Sequence, residues 1–173
     1  MFFSWWLFKV YSVNKIKLRP YSEVYETELF ALYSNLELQK LLLGATTEED
    51  LNFNSWLSRR SNDTYFRQII INEKELVGYV QFIDFHKKNK TGYLGICLRE
   101  KFRNSGYGTQ ALNLTFADLK KKLGVRKVLL KVRRDNTATF LYEKLGFERV
   151  GGLKNEYYDG SRYWDVIIYE KFI

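Results

Sequence analysis

The stretch of this chain best equipped for chemistry lies between Leu98 and Gly108 and reads LREKFRNSGYG, with Arg103, Gly106 and Gly108 in the pattern Arg-x-x-Gly-x-Gly. It joins a run of β-forming residues to an amphipathic run. Glycines let a backbone turn sharply and come close to a ligand with no Cβ in the way. The first turn of a helix that follows offers unpaired amides at the positive end of its dipole. Such a junction can cradle a pyrophosphate, and Arg103 can add a charge-assisted contact. A purely structural loop with two glycines would read the same. No Gly-Lys-Ser/Thr follows, so the stretch is not a P-loop. The full Gly-x-Gly-x-x-Gly fingerprint is also absent, and the loop ends a three-strand meander instead of opening a βαβ unit, which argues against a dinucleotide fold.

Other residues could do chemistry singly. Tyr142, on a short amphipathic segment, is either a proton donor or a core aromatic. Cys97 is the single cysteine, so no internal disulfide forms; it reads as a small buried hydrophobe in a strand, with an acyl-accepting nucleophile as the alternative. His86, the single histidine, sits in the charged run HKKNK and reads as a solvated loop residue. One cysteine and one histidine make a zinc site improbable, and no metal is expected. Asp159-Gly160 reads as a turn.

The elements that must hold these residues follow from periodicity. A first strand spans Lys15 to Arg19, before the single proline, Pro20. Ser22 is placed to cap a helix from Glu23 to Ser34, a short helical piece runs from Leu36 to Leu43, and Thr46 with Glu49 matches a capping box for a helix reaching Arg60. The period then becomes strand-like. Tyr65 to Ile71, Leu76 to Asp84 and Gly92 to Leu98 read as an antiparallel meander. A helix from Thr109 to Leu123 carries Leu112, Phe116 and Leu119 on one stripe and stops at Gly124. A strand from Val125 to Val132, a helix from Thr137 to Leu145, and strands Phe147 to Leu153 and Tyr163 to Phe172 complete the chain. This order gives an α/β mixed sheet with helices on both faces. The strands flanking the Thr109 to Leu123 crossover should run parallel.

The chain has 173 residues, 46% hydrophobic and 17% aromatic, enough for one packed domain and too apolar for a disordered chain. The net charge of +8 suits polyanions: nucleic acid, acidic membranes or nucleotide-like cofactors. The basic residues are dispersed, which disfavours a dedicated nucleic-acid binder. The opening MFFSWWLFKVYSV is too short to span a bilayer, which takes about 20 residues, and lacks the features of a signal peptide. Residues 1–14 read as an apolar extension, packed on the domain or against a second copy in a homodimer, with a domain over 15–173. A reducing cytoplasm fits the cysteine content.

Two segments together carry a family resemblance. LGICLREKFRNSGYGTQAL is similar to motif A of the GNAT superfamily of N-acetyltransferases, and ATFLYEKLGFERVG to its motif B, with Ala138, Tyr142, Lys144, Gly146 and Phe147 in the motif's places. Gly108 and Tyr142 lie 34 residues apart, an ordinary interval in that family. The resemblance implies the GNAT fold, a mostly antiparallel sheet with a central parallel pair, and acetyl-CoA as acetyl donor. It implies that the backbones of Ile96, Cys97 and Leu98 pair with the pantetheine arm and that the parallel strands splay to admit the thioester. Arg103, Asn104, Ser105, Gly106, Tyr107, Gly108 and Thr109 would then bind the pyrophosphate, Asn136 would bond near the pantetheine, and Tyr142 would protonate the leaving thiolate.

The chain departs from the family in two places. Asp135 stands where an asparagine is usual, with Asn136 one later. Tyr93 stands where many relatives carry an acid, which leaves Asp84, Glu156 or a water as the base. The run from Asn155 to Gly160 is similar to the late loop of ribosomal-protein alanine, spermidine and amino-sugar-nucleotide acetyltransferases, so the implied acceptor is a primary amine on a small molecule or a protein amino terminus. The rivals are a non-catalytic acyl-CoA-binding module and a basic nucleic-acid-binding protein.

Overall fold

The computed structural model describes residues 15–62, 65–71 and 74–173, so the expected apolar extension over 1–14 lies outside the described residues. Seven strands form one sheet in the order β1-β2-β3-β4-β5-β7-β6. They are β1 (Ile16–Arg19), β2 (Tyr65–Ile71), β3 (Glu75–His86), β4 (Thr91–Leu98), β5 (Lys127–Arg133), β6 (Glu148–Tyr158) and β7 (Tyr163–Phe172). Every pairing is antiparallel except β4 with β5. That parallel pair flanks the crossover helix α4 (Tyr107–Leu123), as the connection rule requires.

Helices cover both faces. On one, α4 buries Ala111, Leu112, Phe116 and Leu119 against Val80, Phe82, Leu94, Val128 and Leu130, joined by Tyr142 of α5 (Thr139–Lys144). On the other, α1 (Glu26–Tyr33), α2 (Leu36–Leu41) and α3 (Phe53–Asn62) lie over β2 to β4, with Leu29, Tyr33 and Trp56 packed on Phe66, Tyr79 and Cys97. Trp56 stacks on Phe53 at 5.7 Å between centroids and meets Tyr79 edge-on at 5.5 Å, the offset and edge geometries that ring quadrupoles favour.

Four helix starts differ from the sequence reading: α4 begins two residues early, at Tyr107, and at the other three a side chain found a better partner. Ser22 makes no capping bond. Its amide instead donates to Gln68 Oε1, and its carbonyl accepts from Gln68 Nε2, both at 3.0 Å. This pairing satisfies a fully buried carboxamide, and the segment enters α1 through a 3-10 turn at Glu23–Tyr25. The Thr46–Glu49 capping box does not form. Asp50 takes the amides and hydroxyls of both Thr46 and Thr47 in a non-helical loop, and α3 begins at Phe53, where Asn52 Oδ1 accepts from the Ser55 amide at 2.8 Å. The helix expected from Thr137 starts at Thr139, because Asn136 Oδ1 accepts from the Ala138 amide at 2.9 Å and holds the chain in a side-chain turn.

Candidate active site

The site begins with a divergence inside the sheet. β4 and β5 are in register only at Thr91↔Lys127, Gly92↔Val128 and Tyr93↔Leu129. Beyond that row each strand stays paired on its outer side, β4 with β3 as far as Leu98 and β5 with β7 as far as Arg133. The inner edges therefore face each other across a gap without pairing. Which backbone groups point into it follows from antiparallel alternation. The Arg99 amide donates to the Val77 carbonyl at 2.9 Å, so in the same register Cys97 exchanges bonds with Tyr79, while Ile96 and Leu98 point away from β3. Of the three expected strand residues, Ile96 and Leu98 present their backbones to the gap and that of Cys97 faces β3. The Leu98 carbonyl accepts from Arg103 Nε at 3.0 Å, so Arg103 braces the strand end instead of standing free.

At the wide end of the gap sits the start of α4. Asn104 and Gly106 both adopt left-handed backbone, φ 56° and 82°, which only glycine takes without strain and asparagine tolerates. No side chain caps the helix. The first bond into it runs from the Gln110 amide to the Gly106 carbonyl, and the amides of Asn104, Ser105, Gly106, Tyr107, Gly108 and Thr109 meet no acceptor among the described residues. Six consecutive open amides at the positive end of a helix form an anion cradle. Gly108 also serves packing. A Cβ there would lie 3.0 Å from Leu141 Cδ2 and 3.5 Å from Leu98 Cδ1, so its missing side chain lets α4 close on α5 and β4.

Tyr142 stands at the gap from the α5 side. It is 6% exposed, its ring packs against Phe147 at 5.7 Å and Tyr169 at 6.4 Å, and its hydroxyl makes no hydrogen bond among the described residues. A buried polar group without a partner requires a reason. Burial, with a smaller contribution from nearby Cys97, pushes the phenol well above its ordinary range, so it holds its proton and can donate it. Cys97 is buried, and that burial pushes its thiol up to about 12. A thiol so far from ionising is a poor nucleophile at neutral pH.

Beside Tyr142 and Cys97 opens a cleft of about 440 Å³, which none of the residues from Leu98 to Thr109 lines. Its floor is β4 from Tyr93 to Cys97 and β5 from Leu130 to Val132, and Asn136 and Tyr142 line its α5 side. Its outer wall is Tyr33, Trp56 and the segment Leu41 to Ala45. Asn136 lines it with its side chain already engaged: Oδ1 accepts from the Ala138 amide at 2.9 Å and Nδ2 donates to the Leu41 carbonyl at 3.2 Å. The neighbouring Asp135 is held by Arg133 through two bonds of 2.7 and 2.9 Å.

The Asp159-Gly160 turn forms, with Gly160 at φ 96°. It also braces the wall. Asp159 accepts from Trp164 Nε1, Ser161 and Arg162 and is held far below the usual carboxylate range by those bonds, while Tyr157 reaches across to the Gly44 carbonyl at 3.2 Å. His86 is a turn residue, its Nδ1 accepting from the Asn89 amide at 3.0 Å.

Lys131 and Gln81 also line the cleft, and the sequence reading did not assign them. Lys131 lies 5.3 Å from the centre of the Tyr93 ring. Its place on a strand edge carried no signal, because the splay that exposes it is a property of pairing and not of pattern. Among the described residues no cluster of three or more His, Cys, Asp or Glu could hold a metal ion, and no helix is long and apolar enough to cross a membrane.

Comparison with known proteins converges on one family. A model described as the acetyltransferase (GNAT) family matches residues 13–147. The chain is similar to the ribosomal-protein-alanine N-acetyltransferase of Haemophilus influenzae, 30% identical over 101 residues, covering 58% of this chain and 67% of the relative. It is also similar to the spermidine N(1)-acetyltransferase of Escherichia coli, 22% identical over 158 residues, covering 90% and 85%. Among solved structures, the spermidine N-acetyltransferase of Vibrio cholerae in complex with CoA and spermine superposes with a TM-score of 0.80 at 21% identity, covering 91% of this chain and 95% of that one.

Proposed function

The chain belongs to the GNAT acetyltransferase family, and from that premise we propose that it moves the acetyl group of acetyl-CoA directly onto a primary amine, using the gap between β4 and β5 as the donor groove. The observation that carries this reading is the pairing of two unsatisfied features at one gap: six open amides at the start of α4 and the buried, partnerless hydroxyl of Tyr142.

The pyrophosphate of the donor fits the amides from Asn104 to Thr109, where backbone N–H groups and the helix dipole act together. The pantetheine arm then lies along β4 as an added strand would, bonding to the inward backbone of Ile96 and Leu98. Four residues of strand separate Leu98 from Leu94, about 13 Å at ~3.3 Å per residue, so the arm carries the thioester toward the narrow end of the gap. There the amine nitrogen attacks the thioester carbon, a C–N bond forms, the carbonyl oxygen takes negative charge, and an inward amide of β4 is placed to stabilise it. The C–S bond then breaks and Tyr142 gives its proton to the leaving sulfur. An N–H proton of the new amide restores the phenol through the site.

The relatives named above act on a protein-borne alanine and on spermidine, and both classes are primary amines. The acceptor is thus a protein amino terminus or a small molecule such as a polyamine or an amino-sugar nucleotide. It enters from the side walled by Tyr33, Trp56 and Leu41 to Ala45. The single cysteine and the use of acetyl-CoA fit a cytoplasmic enzyme. A non-catalytic acyl-CoA-binding module would have no use for a buried unpartnered hydroxyl, which favours turnover.

The test is thermal denaturation with and without acetyl-CoA, followed by thiol-release assays on spermidine, an alanine-initiated peptide and an amino-sugar nucleotide. Ligand at about 100 times its Kd should stabilise the fold by about 2.7 kcal/mol. No shift at millimolar acetyl-CoA would refute donor binding.

A further inference from the structure

The geometry points to Asp84 as the carboxylate that anchors the acceptor's ammonium and takes its proton, directly or through one solvent molecule. The inference rests on the acetyl-transfer reading above and supplies the base that Tyr93 cannot be.

The argument starts from strand alternation. Side chains on β3 should alternate faces, and Val80 and Phe82 point to the α4 core while Gln81 and Ile83 line the cleft. By that count Asp84 belongs with Phe82, in the core. It does not go there. Pairing with β4 loses register between Ile83 and His86, Asp84 takes left-handed backbone at φ 52°, and consecutive residues Ile83 and Asp84 both line the cleft. Phe85 then returns to the core side, its ring 5.7 Å from that of Phe82. This is a β-bulge that re-aims one side chain, and the residue re-aimed is a carboxylate held in a conformation that few side chains accept.

Its place matches the chemistry. Ile83 is opposite Tyr93, and Tyr93 is opposite Leu129, the last paired row before the gap opens. Asp84 follows that row at the narrow end, toward which the groove directs the thioester. Its oxygens accept no hydrogen bond from a described residue. The other carboxylate on the cleft, Asp50, is occupied by Thr46 and Thr47. Glu156, the other acid considered, sits where β6 breaks register between Leu153 and Tyr157 and does not line the cleft. The further titratable groups facing the same space are Tyr33 from α1, Tyr79 from β3, Tyr93 and Cys97 from β4, Lys131 from β5 and Tyr142 from α5.

The proton balance is complete. An alkyl ammonium, with a pKa of about 10.4, gives one proton to Asp84, which frees the lone pair. The nitrogen forms its bond to the thioester carbon, and the C–S bond breaks as the sulfur takes the Tyr142 proton. A second N–H proton restores Tyr142, and Asp84 releases its proton to solvent.

The experiment compares wild type with Asp84→Asn, since asparagine also accepts the left-handed backbone. Acceptors are spermidine, an alanine-initiated peptide, and methoxyamine, which is already unprotonated at pH 7. The variant should keep its acetyl-CoA Kd within threefold. It should lose roughly 10²- to 10⁴-fold in kcat/KM toward alkyl amines and less than about tenfold toward methoxyamine. Its kcat/KM for spermidine should rise about tenfold per pH unit from 7 to 9, following the free-amine fraction, while the wild type stays flat. Asp84→Gly, which also accepts the backbone, serves if the asparagine protein does not fold. Equal losses on methoxyamine and alkyl amines, or an undiminished rate on alkyl amines, would overturn the assignment with acetyl transfer intact. A wild type that binds acetyl-CoA and acetylates none of the three removes the acetyl-transfer reading itself, and this inference with it.

Discussion

Replacing Tyr142 by phenylalanine deletes one oxygen and should move stability and catalysis in opposite directions. The side chain is 6% exposed and its ring is packed on Phe147 and Tyr169, so phenylalanine keeps the packing. The hydroxyl has no partner among the described residues, and a buried unsatisfied group costs about 1–3 kcal/mol of desolvation. Its removal should leave the free energy of unfolding unchanged or raise it by about 1 kcal/mol. In the proposed reaction the same hydroxyl would be the proton donor to the leaving sulfur, and positioned acids are worth about 10²- to 10⁴-fold, or roughly 2.7–5.5 kcal/mol of barrier. Urea titration measures the first quantity and thiol release at saturating acceptor the second, with the acetyl-CoA Kd as control. A core tyrosine with no chemical role gives a different result: a normal kcat, and a stability loss wherever an unseen water satisfied the oxygen. A Tyr142→Phe protein that loses more than about 1 kcal/mol and turns over within threefold of wild type refutes the reasoning.

Two further outcomes test the ground on which the site stands. Burial pushes the Cys97 thiol up to about 12 from an ordinary 9.0. The stabilisation that comes with this shift is complete below pH 9 and declines as pH rises toward 12, by up to about 1.4 kcal/mol per unit. Denaturant midpoints of wild type and Cys97→Ala should converge over that range. At pH 8 the native thiol should resist iodoacetamide while the unfolded one reacts, and rapid native labelling would show the strand to be open. Gly78 lies opposite Leu98, and a Cβ there would fall 2.0 Å from the Cys97 carbonyl oxygen and 2.9 Å from Leu98 Cα. These are backbone atoms that cannot yield without separating β3 from β4, so Gly78→Ala should lose about 3 kcal/mol or more by urea titration; a loss under about 1 kcal/mol would mean that β4 can shift.

What could be read in advance divides by the range of the interaction that decides it. The strands Tyr65–Ile71 and Tyr163–Phe172 coincide with their apolar runs, and α4 ends at Gly124 with φ 64°, because composition and local backbone demands suffice there. The start of α3 was misplaced by seven residues. The Thr46–Glu49 pattern is a fair local signal, yet Asp50 outcompetes it for the same amides, and Tyr33, nineteen residues away, takes the Asn52 amide at 2.8 Å. The glycine loop and Tyr142 were legible because two motifs stand at a recognisable interval. The bulge at Asp84 was not, since a period-two pattern gives no sign that one residue will turn out of step; only the pairing with β4 shows it. Gly108 was legible as a glycine, but its reason was not, because Leu141 approaches it from another helix.

The open gap is itself an argument about the donor. β4 and β5 part beyond Tyr93↔Leu129, while β3 and β7 hold their outer edges as far as Leu98 and Arg133. From Leu94 onward the inner edge of β4 has no strand partner among the described residues, forgoing several bonds worth about 0.5–1.5 kcal/mol each, and only its Leu98 carbonyl is taken, by Arg103 Nε. Such an edge invites anything with alternating amides and carbonyls of its own. A second protein strand would satisfy it, but α4 and α5 cover one face of the gap and Tyr33 and Trp56 wall the other, which narrows the room for side chains on both faces. An amide-bearing arm without side chains fits where a peptide does not, and if it carries a diphosphate at one end, the amides from Asn104 to Thr109 fix its direction. The narrow end of the gap then receives the opposite terminus, beside the single re-aimed carboxylate of β3. The selection of an acyl-pantetheine over a peptide thus lies in the covered faces of the gap as much as in the glycine loop.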